Sequence, residues 1–147
     1  MNITSTSYPH FYLGVLLLRL GIGISFICHG WPKLQAGPEL WESLGGAMSF
    51  WGINFAPTLW GFIGSLAEFA GGLLLALGFL FRPTCVILVI QMIVATSSHL
   101  SQGQSFSEYS HALEMAILFF CWLFIGPGKY SLDARLQKPT ERLGLNA

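Results

Sequence analysis

Four apolar runs punctuate the chain, at about 11–30, 59–82, 84–100 and 109–126. Each is close to the ~17–25 residues that a helix rising 1.5 Å per residue needs to cross a hydrocarbon core of about 30 Å. Period-two alternation is missing, and a lipid-exposed backbone must satisfy its own hydrogen bonds, so helices are expected and a membrane barrel is not. The pattern predicts an all-α protein: an integral membrane four-helix bundle, one domain over residues 1–147. Between the first two spans, Trp31, Trp41, Trp51 and Trp60 crowd into a polar-interrupted stretch or its edge, and tryptophan favours the membrane interface. From Glu39 to about Phe50 a short interfacial helix is expected, ended by a loop around Pro57; the alternative is a re-entrant loop dipping into the bundle.

The second run, LWGFIGSLAEFAGGLLLALGFLFR, carries one acid, Glu68, near its middle. Gly61, Gly64, Gly71 and Gly72 share its helical face, because positions three, four and seven apart stack on one side. Small residues admit another helix closely, so this face should look into the bundle. A carboxylate at that depth costs about 3 kcal/mol on insertion scales unless it is paired, hydrated or protonated. Arg19 interrupts the first run. Counted from opposite ends, Arg19 and Glu68 lie about nine residues from their own entry points, within a few Å of one level. An Arg19–Glu68 ion pair is therefore the simplest expectation, read either as a brace between helices or as a proton or ligand site.

Composition agrees with a membrane protein: 53% of residues are hydrophobic and 10% charged, with zero net charge. No basic stripe exists to hold a polyphosphate backbone, which argues against nucleic acid. Lys and Arg placement sets the orientation. Arg82, Lys129, Arg135, Lys138 and Arg142 fall on the side of the termini and only Lys33 on the other. Both termini, with a tail at about 129–147, are therefore expected in the cytoplasm. The N-terminal stretch lacks a basic n-region and has Arg19 in its apolar core, so it reads as a retained anchor rather than a cleaved signal. Cys28, Cys85 and Cys121 have no disulfide or zinc spacing and read as packing residues.

Further polar residues gather toward the outer ends of the spans. His29 and Lys33 close the first, His99 ends the third, and His111 with Glu114 opens the fourth on one face. Arg19, His29, Lys33, Glu68, His111 and Glu114 form a candidate intramembrane site for a quinone headgroup, an anion, a metal or protons. His111 and Glu114 match half of a carboxylate-bridged di-metal site, but no second helix repeats the pairing, so no metal is assigned. For Gln91 an interhelical hydrogen bond is a sufficient explanation. No hydrolase triad, phosphate loop or dinucleotide fingerprint is present, and catalytic residues stay unassigned.

RLGIGISFICHGWPKL, LAEFAGGLLLALGFLFR and GPGKYSLD resemble, in order and spacing, the signature stretches of the DoxX family of small membrane proteins. The matching positions are Arg19, His29, Gly30, Lys33, Glu68, Gly71, Gly72, Arg82, Gly126, Gly128, Tyr130 and Asp133, with Glu108 and Tyr109 fitting the start of the fourth helix. His111 and Glu114 match no general family position. The resemblance implies a multi-pass protein of the bacterial cytoplasmic (inner) membrane, related to subunits of thiosulfate:quinone oxidoreductase or terminal quinol oxidase. It implies a quinone as the small molecule, and a protein redox partner as the electron donor, because no redox group is legible in this chain. The alternative is a non-enzymatic scaffold or small-molecule carrier. Glycine faces also suit contacts between protomers in a homo-oligomer.

Overall fold

The computed structural model describes residues 9–137. Its helices are α1 (Phe11–Gln35), α2 (Pro38–Gly45), α3 (Pro57–Leu77), α4 (Phe81–Ser101), α5 (Phe106–Ile125) and α6 (Leu132–Leu136), with a 3-10 helix at Gly46–Trp51 after α2. The described residues contain no strand. Helices α1, α3, α4 and α5 are long and apolar enough to cross a bilayer, and they form a four-helix membrane bundle. The short helix expected between the first two spans is α2, continued by the 3-10 turn. The expected tail falls partly outside the described residues, with Lys138 and Arg142. Below, the proximal end of the bundle is where α1 begins and α5 ends; the distal end carries α2.

Local chemistry sets the boundaries. Helix α1 runs to Gln35, beyond the expected end near 30, and carries Pro32 within it. Gly37 breaks it, and Pro38 starts α2 at a position that needs no N–H donor. Gly78 ends α3 with φ +65°, and the Phe79 N–H reaches back to the Leu74 carbonyl at 3.0 Å. That left-handed turn suits glycine because no Cβ is present to clash. At the start of α5, the Glu108 carboxylate accepts the Ser105 N–H at 2.7 Å, one half of a capping box.

The core is Phe26 of α1, Leu75 of α3, Phe81, Cys85, Leu88 and Met92 of α4, and Ala112, Ala116, Phe119 and Trp122 of α5. Phe26 meets Phe119 edge-on at 5.0 Å, which joins α1 to α5. Outward, Leu17, Ile24, Ile90, Ile117, Phe120 and Phe124 are exposed, as a lipid-facing surface requires.

The small face of α3 serves three neighbours rather than one. A Cβ on Gly72 would lie 2.7 Å from the Gly23 carbonyl of α1; one on Gly71 would lie 3.0 Å from Leu88 of α4. On Gly61 it would collide with the Trp41 carbonyl of α2. The interfacial segment is thus held backbone to backbone against a span.

Candidate functional site

Among the described residues Arg19 is the most deeply buried cation, 1% exposed, and its guanidinium meets no carboxylate within hydrogen-bond reach. Nε donates to the Leu75 carbonyl at 3.1 Å and Nη2 to Ala76 at 3.1 Å, both in the last turn of α3. Nη1 donates to the Pro127 carbonyl at 2.5 Å, and Nη2 also to Tyr130 at 3.4 Å. Carbonyls at a helix C-terminus carry partial negative charge and lack intrahelical donors, so a cation there is favoured. Gly78 makes room: a Cβ would sit 2.7 Å from Arg19 Nη1 and 2.6 Å from Ser131.

The closing GPGKYSLD stretch completes this knot. The Ser131 hydroxyl donates to the Gly128 carbonyl at 2.7 Å and accepts the Ala134 N–H at 3.1 Å, capping α6. Asp133 accepts the N–H groups of Leu80 and Phe81 at 3.0 and 2.9 Å. A carboxylate thereby caps the N-terminus of α4 and holds Leu80 in its left-handed conformation at φ +46°. Its charge is also near enough to act on Arg19. Lys129 lies over the rings of Tyr12 and Tyr130, 5.2 and 5.0 Å from their centroids.

Glu68 is partnered instead by Lys33, whose Nζ lies 2.6 Å from Oε2. The expected Arg19–Glu68 pair does not form. Helical side chains lean toward the N-terminus of their own helix, and α1 and α3 are antiparallel. Arg19 therefore leans toward the proximal end and Glu68 toward the distal end. Counting residues places Cα atoms at a level but ignores this divergence. The extra turn of α1 beyond Gly30 then brings Lys33 over Glu68. Gly30 packs on the backbone of Phe69, and the Trp41 indole donates to the Lys33 carbonyl at 2.8 Å, tying α2 to the same point.

Beside this pair lies a cavity of about 460 Å³ between α3, α4 and the α2/3-10 segment, within the usual range for small-molecule sites. Glu68, 4% exposed to solvent, and Lys33, with a side chain 32% exposed, form its charged wall. Ser43, Trp60, Ser65, Gln91, Ser98, His99 and Gln102 contribute further polar groups. The Trp60 Nε1 is buried without a hydrogen-bond partner. Gln91 makes no interhelical hydrogen bond; its amide lies over Gly64. Trp60, Ser98 and Gln102 carried no sequence signal beyond polarity near a span end, and only the packing of α2 on α3 brings them together.

The remaining candidates do not converge here. The His29 and His111 rings face each other 6.0 Å apart across the α1–α5 seam, both exposed. Glu114 is also exposed. Among the described residues no three His, Cys, Asp or Glu side chains gather as metal ligands. His99 is linked to Gln104. Arg82 and Tyr130 are exposed, and Gly126 ends α5.

The chain is similar to the inner membrane protein YqjF of Escherichia coli (strain K12), 29% identical over 131 residues, which covers 86% of this chain and 94% of the relative. It is also similar to the "uncharacterized membrane protein Rv3486" of Mycobacterium tuberculosis (strain H37Rv), 31% identical over 147 residues, covering 88% of this chain and 85% of that one. No solved structure matches it. The DoxX family matches residues 14–100, a stretch that includes Arg19, Lys33, Glu68 and the whole cavity wall of α3. The chain belongs to the DoxX family.

Proposed function

We propose that the protein is a membrane subunit of a quinone-linked oxidoreductase complex and that it binds the quinone headgroup in the cavity beside Lys33 and Glu68. The observation that carries this reading is an ion pair set into the wall of an otherwise largely apolar cavity at membrane depth. Charged side chains inside a span are costly and mark ligand or proton pathways. A quinone supplies two-electron, two-proton chemistry when bound. Lys33 has hydrogens left to offer a carbonyl beyond the one it gives Glu68. Glu68 bonds Lys33 through Oε2 alone, which leaves its second oxygen to accept a hydrogen bond from a ligand. The site differs from the Arg19-centred one expected from sequence, because four of the five Arg19 N–H donors go to backbone carbonyls.

The electrons come from a partner protein in this reading. Both termini face the cytoplasm of the inner membrane: apart from Lys33, held in its pair, Lys and Arg concentrate at the proximal end and its tail. Cysteines introduced for Lys129 and Glu39 test the orientation, since an impermeant maleimide on intact cells should label only the latter.

The functional test is mass spectrometry of the protein taken from its native membrane in mild detergent, reading proteins and extracted quinone together. Stoichiometric quinone lost in Glu68→Gln and Lys33→Met supports the reading. Partners without quinone make the protein a scaffold, and neither directs the search to a transported solute.

A further inference from the structure

The cavity has a second polar group set that the charged pair does not use, and a side that faces lipid. Ile63 of α3 and Ile87 and Ile90 of α4 line it and are 43%, 53% and 58% exposed. The space therefore reaches the hydrocarbon between α3 and α4. In that seam Gly64 faces Gln91: a Cβ there would lie 2.9 Å from Nε2 and 3.1 Å from Oε1. Glycine at 64 is what lets the amide lie across the seam, with two N–H donors and an acceptor to offer. Trp60 lines the same cavity, and its Nε1 is a buried donor with no partner.

We propose that Gln91 and Trp60 form a neutral subsite that selects a lipid-soluble, carbonyl-bearing ligand entering sideways through the α3–α4 seam. The inference rests on the quinone reading and assigns the second carbonyl: Lys33 and Glu68 hold one end of the headgroup, Gln91 and Trp60 the other, and the tail leaves between Ile87 and Ile90. A charged wall attracts any acceptor oxygen. A fixed neutral donor pair discriminates by position, since a headgroup whose oxygen misses it leaves those donors unpaired.

The test measures binding of decyl-ubiquinone to the full chain in nanodiscs by equilibrium dialysis, with the melting midpoint of the quinone-free protein recorded alongside. Gln91→Leu and Trp60→Phe should each weaken binding about tenfold, the size of one neutral hydrogen bond, with the quinone-free midpoint unchanged or raised. Gly64→Ala should weaken it less, by pushing the amide aside. If wild type binds, Lys33→Met weakens binding, and Gln91→Leu and Trp60→Phe bind like wild type, the quinone reading survives and the neutral subsite is refuted. If wild type does not bind, both fall. A Gln91→Leu protein that loses thermal stability without quinone would make the amide a structural brace and overturn its role in selection.

Discussion

Arg19→Met tests the division between a structural and a ligand-binding end of the bundle. The substitution keeps length and apolar volume but removes four donated hydrogen bonds, to the carbonyls of Leu75, Ala76, Pro127 and Tyr130. Three are 3.1 Å or shorter and one is 3.4 Å, so three count fully. At ~1.5 kcal/mol each, the low end for bonds from a charged donor, the sum is ~4.5 kcal/mol, and rehydration of the loop carbonyls reduces it to about 3–4 kcal/mol. For a chain of this size that corresponds to roughly 10 °C in the apparent melting midpoint. Arg19→Lys should recover about half, because a compact ammonium cannot reach two elements at once. The assay is thermal unfolding in detergent followed by tryptophan emission, paired with limited trypsin digestion. Release of α6 should expose Lys129 and Arg135 to cleavage early, while quinone binding below the midpoint stays at wild-type level. A midpoint within about 2 °C of wild type, together with lost quinone binding, would refute the reasoning and return Arg19 to the ligand site.

Lys33→Met leaves Glu68 buried without its partner and should lower the melting midpoint more than the Lys33→Met/Glu68→Met double variant, which removes both charges. Gly61→Ala forces a methyl group against the Trp41 backbone and should cost about 1–3 kcal/mol by overpacking; Gly21→Ala, with nothing within 4 Å, should be neutral or mildly stabilising on the same thermal scan. A membrane-permeant maleimide should label Cys28 and Cys121, which are exposed, and spare buried Cys85 until the protein is denatured; labelling of Cys85 in the native protein would contradict the core packing of α4.

The bundle was legible because its signal is local: apolar runs of spanning length and a small-residue face on α3. Glycine and proline at 37 and 38 mark the end of α1 equally well, but the apolar run itself stops near residue 30. The site was half legible. Glu68 and Lys33 stood among the candidates on charge alone, yet their pairing depends on the direction in which helical side chains lean, which residue counting does not contain. Trp60 and Gln91 were beyond reach for another reason. They are 31 residues apart on different helices, and the cavity between them exists only because Gly61 lets α2 dock where it does. The GPGKYSLD stretch was recognisable as a family signature, while its physical work, a knot of caps around one guanidinium, needed coordinates.

That knot sets the order of biogenesis. Arg19 is synthesised 56 and 57 residues before its α3 acceptors, and 108 and 111 residues before those supplied by Pro127 and Tyr130. At translation speeds of about 5–20 residues per second, the last acceptors leave the ribosome roughly 5–20 s after Arg19 does. Through that interval the guanidinium depends on headgroups and water, which it can approach because it lies only eight residues from the start of α1, about 12 Å of helix. The final stretch of the chain therefore acts as a completion signal: a nascent or truncated product that ends before Pro127 keeps a guanidinium with only its two α3 acceptors in the membrane, the kind of mark by which quality control tells an unfinished bundle from a finished one.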